Sequence, residues 1–72
     1  MSEQEKFLKS LGKHIDKLRK KQGLTFKELA LRCEMEKSNL VKLTSQGSNI
    51  TVASLYKIAK GLGVQVFELL KF

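Results

Sequence analysis

An all-helical fold of five packed helices is what this sequence predicts, and three observations carry it. Proline is absent. Apolar residues recur at helical spacing over long segments. Four apolar pairs, each spaced as a hydrophobic staple, bracket candidate helix starts: Leu24 with Leu29, Met35 with Leu40, Ile50 with Leu55, and Val64 with Leu69. Each staple announces one helix, and a longer helix precedes them all.

The first helix is expected from about Glu3 to Gln22. Phe7, Leu8, Leu11, Ile15 and Leu18 make its apolar stripe. Glu3 and Glu5 near its start, and Lys20 and Lys21 near its end, suit the helix dipole. Gly23 then offers a left-handed stop. Thr25 caps the second helix, and Glu28 completes a capping box with it. The third helix begins after a weak cap at Glu36. Thr51 caps the fourth, which is expected from Val52 to about Lys60, with Leu55, Ile58, Ala59 and Leu62 buried and stops at Gly61 and Gly63. A last short helix covers Val66 to Lys71, after a weak cap at Gln65. No linker, repeat or low-complexity stretch interrupts the chain, so residues 1–72 read as one domain.

Size and charge narrow the function. A chain of 72 residues holds a modest core and hardly a deep catalytic cleft. Fourteen Lys and Arg against seven Asp and Glu give a net charge of +7. That field suits a polyanion or an anionic membrane. Between Lys6 and Lys21 the only acidic residue is Asp16. No apolar run approaches the roughly 18 residues of a membrane span, and the N-terminus lacks the apolar core of a signal peptide. The single cysteine excludes an internal disulfide, and no Cys/His cluster suggests zinc. A cytoplasmic protein without metal or cofactor is expected. No acid–base pair or nucleophile constellation is visible, which argues against an enzyme.

The stretch Phe26 to Leu43 carries the most information. Leu29 and Ala30 face inward on one helix, and Leu40 and Leu43 on the next. Ala30 is small enough for a close crossing. Only about four residues, Cys33 to Glu36, join the two. So short a connection sets the steep angle of a helix-turn-helix. The outer face of the second helix then presents Lys37, Ser38, Asn39 and Lys42, none of them apolar. Lysine donates to guanine or phosphate, and asparagine pairs with adenine.

With "LGKHIDKLRKKQGLTFKELA", "MEKSNLVKL" and "NITVASLYKIAKGLGVQVFELL", the chain resembles the Cro/cI-like (XRE-type) helix-turn-helix regulators of bacteria and phages. Leu29-Ala30 and the "L..IAKGLGV" stretch are the most specific matches. The resemblance implies a compact lambda-repressor-like domain that binds double-stranded DNA, usually as a two-fold dimer. By position it makes Lys37, Ser38 and Lys42 the base-facing candidates, with Asn39 beside them. Phosphate contacts fall to Thr25, Phe26 and Lys27, and to Ser45, Gln46, Ser48 and Asn49. Three positions depart from the family pattern. Phe26 stands where glutamine is frequent, and offers phosphate only its backbone N–H. Glu34 stands where glycine is common, at a cost on the order of 1 kcal/mol in a left-handed turn. Thr44 stands where glutamate is frequent, and Gly47 comes one place later than usual.

A small, repressor-like transcriptional regulator is thus the leading expectation, and with no effector domain expected it responds to its own concentration or to a partner more than to a small molecule. The alternative is a protein-interaction module: the antitoxin of a toxin–antitoxin pair, or a controller protein with autoregulatory DNA binding. A membrane-surface role for the basic first helix is weakened because the core needs its apolar stripe. Phe67, Leu70 and Phe72 suit either the monomer core or a dimer seam, and the seam is favoured. His14 reads as an ordinary, partly exposed residue, Cys33 as a buried small apolar group, and Tyr56 as helix surface.

Overall fold

The computed structural model describes residues 2–72. Five helices follow one another: α1 (Glu3–Lys21), α2 (Phe26–Cys33), α3 (Lys37–Gln46), α4 (Val52–Leu62) and α5 (Val66–Leu69). Helix α1 packs on α3, α2 packs on both α3 and α4, and α5 closes the bundle against α4 and α1. Leu11, Ile15, Leu29, Leu40, Ile58 and Leu69 are the large side chains fully buried at its centre. The inner member of every predicted staple is therefore in the core, and its outer partner packs against or within the same cluster.

Helix starts follow the predicted chemistry, with two additions. The Thr25 hydroxyl accepts from the Glu28 N–H at 3.0 Å, while Glu28 Oε1 accepts from the Thr25 N–H at 2.9 Å. Ser2 and Glu5 repeat this reciprocal pair at the head of α1. Gln65 is a better start than its side chain suggests, because its N–H donates to Glu68 Oε2 at 2.7 Å. Glu36 supplies no side-chain cap, as expected.

Boundaries differ from expectation at three points. Helix α5 ends at Leu69 rather than Lys71, because the Leu70 N–H reaches back only three residues, to the Phe67 carbonyl, and tightens the last turn. Gly61 does not stop α4. It is buried within the helix, where an added Cβ would lie 2.5 Å from Cys33 Sγ. Phe7 lies on the expected core stripe, yet it is half exposed, its ring 5.4 Å from that of Phe72 at the bundle's rim.

Close approach of α1 to α3 fixes how α3 is presented. A Cβ on Gly12 would sit 2.5 Å from the Leu43 carbonyl oxygen and 3.0 Å from Thr44 Cα. Only glycine lets these two backbones meet. Thr44 is buried at this crossing, and its hydroxyl donates within α3 to the Leu40 and Val41 carbonyls.

Candidate nucleic-acid interface

Helix α3 owes its exposed face to the spacing of Leu40, Leu43 and Thr44, which face the core. At about 100° per residue the opposite side must carry Ser38, Lys42 and Ser45. Lys37, Ser38, Asn39 and Lys42 are all exposed, so every base-facing candidate is open to solvent. The turn that aims this helix holds its expected form. Glu34 adopts φ 55° and ψ 45°, the left-handed region, and the chain accepts the strain. The Glu34 N–H donates to the Leu31 carbonyl and the Met35 N–H to the Ala30 carbonyl, closing the end of α2.

Several candidates share one cleft. Asn39 and Lys42 of α3 and Ser48 and Asn49 of the following loop line a hollow of about 210 Å³, with Met35 and Thr51 at its walls. A larger groove of about 930 Å³ lies between the end of α2 and α4, around Arg32, Val52 and Tyr56, and none of the candidate residues lines it. Thr25, Phe26 and Lys27 stand apart from the cleft, at the head of α2. There the N–H groups of the first turn have no partner within the helix, a disposition that receives anions. Ser45 is exposed, but its hydroxyl proton is directed at the Val41 carbonyl, 2.7 Å away.

The head of α2 is braced by a network that sequence reasoning missed. Arg19 donates to Asp16 at 2.9 Å and to the Leu24 carbonyl at 2.6 Å, and its guanidinium lies 4.0 Å from the Phe26 ring centre. Phe26 is thus half-buried under Arg19 rather than free to reach outward. Burial pushes the Asp16 carboxyl up, but hydrogen bonds and charge from Arg19 and Lys20 outweigh it and hold the group below its usual range. Backbone and hydroxyl bonds from Thr25 do the same for Glu28. Asp16 and Arg19 stand three apart on one helix, and that spacing was the readable signal. Gly12 was legible too, since a glycine inside a helix costs about 1 kcal/mol relative to alanine and asks for a packing reason.

The remaining residues singled out in the sequence are placed as follows. Cys33 is buried, and burial pushes its thiol pKa up, which keeps it protonated and unreactive at neutral pH. His14 Nε2 donates to the Glu68 carbonyl at 2.9 Å, tying α1 to α5. Tyr56 is exposed on α4. Phe67, Leu70 and Phe72 remain 59%, 46% and 52% exposed, so they are not monomer core. Leu69 fills that role. Among the described residues no helix is long and apolar enough to cross a membrane.

A helix-turn-helix family model matches residues 15–69. The chain belongs to that family. This helix-turn-helix protein is 36% identical over 61 residues to the HTH-type transcriptional regulator y4dJ of Sinorhizobium fredii, covering 85% of this chain and 79% of the relative. Its fold is similar to that of the restriction-modification controller protein C.Esp1396I, with a TM-score of 0.80, 30% identity, and 89% and 87% of the two chains covered. It is also similar to the controller protein C.AhdI of Aeromonas hydrophila, at a TM-score of 0.83 over 86% of this chain and 94% of that one. At 24% identity the latter likeness is one of fold.

Proposed function

We propose that this helix-turn-helix protein is a cytoplasmic, sequence-specific transcriptional regulator that binds double-stranded DNA as a homodimer. As a member of a family of HTH-type regulators, it is a DNA-binding protein. The observation that carries the finer reading is the outer face of α3, where Lys37, Ser38, Asn39 and Lys42 are all exposed and none is apolar. A major groove admits such a helix with its N-terminal residues toward the base edges. Lys37 and Lys42 are assigned to guanine or phosphate, and Asn39 and Ser38 to neighbouring edges. The head of α2, through Thr25, the Phe26 N–H and Lys27, and the segment from the end of α3 into the following loop, through Ser45, Gln46, Ser48 and Asn49, hold the two flanking backbones. These contacts position the helix, while the base contacts specify.

The test is selection of binding sites from random DNA, followed by titration of matched and scrambled duplexes with Lys37→Ala and Lys42→Ala. Loss of a base contact should cost about 1–3 kcal/mol on the selected site and much less on scrambled DNA. Unchanged affinity of the double variant for its best site would remove α3 as the reader. A second reading, a controller that binds ahead of its own gene, is favoured by the likeness to C.Esp1396I. Binding to the upstream sequence of its own gene, with a competitor of random DNA, tests that role.

A further inference from the structure

We propose that the groove between the end of α2 and the outer face of α4 docks an acidic amphipathic helix of a partner protein. This role goes beyond the DNA-binding reading, and the groove shares no residue with the candidate DNA interface. Its volume is about 930 Å³, and it opens to solvent. Helix α4 sets its length. Residues from Val52 to Gly63 line it, a run of about 16 Å at the rise of an α-helix. A docked helix reads such a groove with anchors at i, i+4 and i+7, which span about 10 Å and fit within it.

Folding gives no reason for the apolar lining. Val52 opens α4, but Thr51 provides the cap, its hydroxyl accepting from the Ser54 N–H. Valine is also a weaker helix former than alanine. Yet Val52 stands 81% exposed, and Tyr56, one turn on, 56%. Ala53 is exposed beside them, and none of the three belongs to the core cluster. Together they form an apolar strip along the groove. The opposite wall is fixed by the crossing at Gly61, where a Cβ would lie 2.5 Å from Cys33 Sγ and 3.4 Å from the Arg32 carbonyl carbon. The groove is therefore formed before any partner arrives, which lowers the cost of binding.

Charge selects the occupant. Arg32, Lys57 and Lys60 are exposed at the rim, and Glu34 is the one acid that lines the groove. Among the described residues the only ion pairs are those of Asp16 on α1, so the three basic groups are unpaired. Lys60 Nζ lies 5.9 Å from the Tyr56 ring centre, which keeps a cation over the apolar strip. A helix with carboxylates flanking an apolar stripe meets both features at once, and such complementarity selects the partner. A second copy seated through the same groove would set basic rim against basic rim. A duplex would offer phosphates to the rim but nothing apolar to Val52, Ala53 and Tyr56.

The experiment selects peptides of about 16 residues from a random displayed library on the full chain, then measures affinity by calorimetry and location by amide chemical shifts. The selected peptides should be rich in Asp and Glu, with apolar residues at helical spacing, and the shifts should cluster on the groove. Val52→Ser/Tyr56→Ser should weaken the best peptide about tenfold or more while leaving operator affinity and oligomeric state unchanged. Lys57→Glu/Lys60→Glu should lose the acidic peptides and select basic ones instead. Both variants alter exposed residues, and circular dichroism should show the parent's fold. Operator duplex and peptide should bind together. Failure to select any peptide, peptides without acidic excess, or shifts elsewhere would overturn the docking role. Displacement of the peptide by operator duplex would give the groove to DNA, and loss of a parental dimer in Val52→Ser/Tyr56→Ser would give it to a second copy. Octanoate bound as tightly as the best peptide would give it to a small acid. A parent that binds the peptides but no duplex would overturn the DNA-binding reading alone.

Discussion

Glu34 occupies a backbone conformation that costs an L-residue about 1–2 kcal/mol, and nothing in its own chemistry repays this. Its side chain is exposed and its N–H is already placed at the end of α2. Glu34→Gly should therefore stabilise the fold by about 1 kcal/mol, read as a higher urea midpoint at unchanged slope. An unaltered or lower midpoint would mean the turn relaxes in solution. The carboxylates beside α2 make a prediction in pH. Asp16 and Glu28 have ordinary values of 3.8 and 4.5, and both are lowered in the folded chain. The unfolded chain thus binds their protons more readily. Their contribution is complete above about pH 4.5 and is lost as pH falls through the folded values. Between about pH 5 and 3 the urea midpoint of Asp16→Asn should drop less steeply than that of the parent. A parallel drop would show that the Arg19 network does not stabilise the fold. Both features were readable one residue at a time: a non-glycine where a left-handed turn is required, and an acid three residues before an arginine. The contact of Arg19 with Phe26 was not, because it joins residues on different helices and depends on how the turn folds back.

At the scale of elements, periodicity and capping chemistry carried most of the fold. Each staple pair proved to mark a helix, because a helix in a small domain exists chiefly to bury one face, and its start must be closed against the same core. What local pattern cannot reveal is the distance between two helices. Gly61 looked like a stop, and only its apposition to Cys33 shows it to be a spacer. Phe7 matched the stripe of α1, but the bundle ends before reaching it, and Phe72 is its neighbour instead. Gly12 inside a helix signals a packing need, but only the fold shows that the need is the approach of α3. The α1–α3 crossing there leaves no room for a methyl group beside the Leu43 carbonyl. Gly12→Ala should gain about 1 kcal/mol in helix propensity but lose more, toward 3 kcal/mol of a range of about 1–3, because the added methyl meets the α3 backbone and not a side chain that can move aside. The net effect is destabilising, and a thermal midpoint at or above that of the parent would show that the crossing yields easily. Since α3 rests on this crossing, the variant should also bind operator DNA less well under conditions where it is folded.

At its C-terminal end the molecule leaves an apolar surface uncovered. Phe67, Leu70 and Phe72 are about half exposed or more, and Phe7 borders them. Their own chain holds them in place: the Phe72 ring lies 5.9 Å from His14, and the His14–Glu68 bond fastens α5 to α1. A patch presented on a fixed support, rather than on a loose tail, suits association with an identical patch across a two-fold axis. Its location at the C-terminal end of the bundle was legible as a cluster of large apolar groups after Leu69's own place in the core was filled. Whether such a cluster faced inward was not legible, because a four-residue helix shows too little periodicity to orient its sides. If this surface is the seam, two copies of α3 are held at a fixed separation. Their half-sites should lie one helical turn apart, roughly 34–36 Å, and the selected operator should be a palindrome. Phe67→Ser/Leu70→Ser changes exposed residues only, so the monomer should keep its fold by circular dichroism. Sedimentation should then show a monomer where the parent is a dimer, and binding should lose its second half-site. Monomeric parent protein both free and on DNA, or an operator without symmetry, would reject the seam.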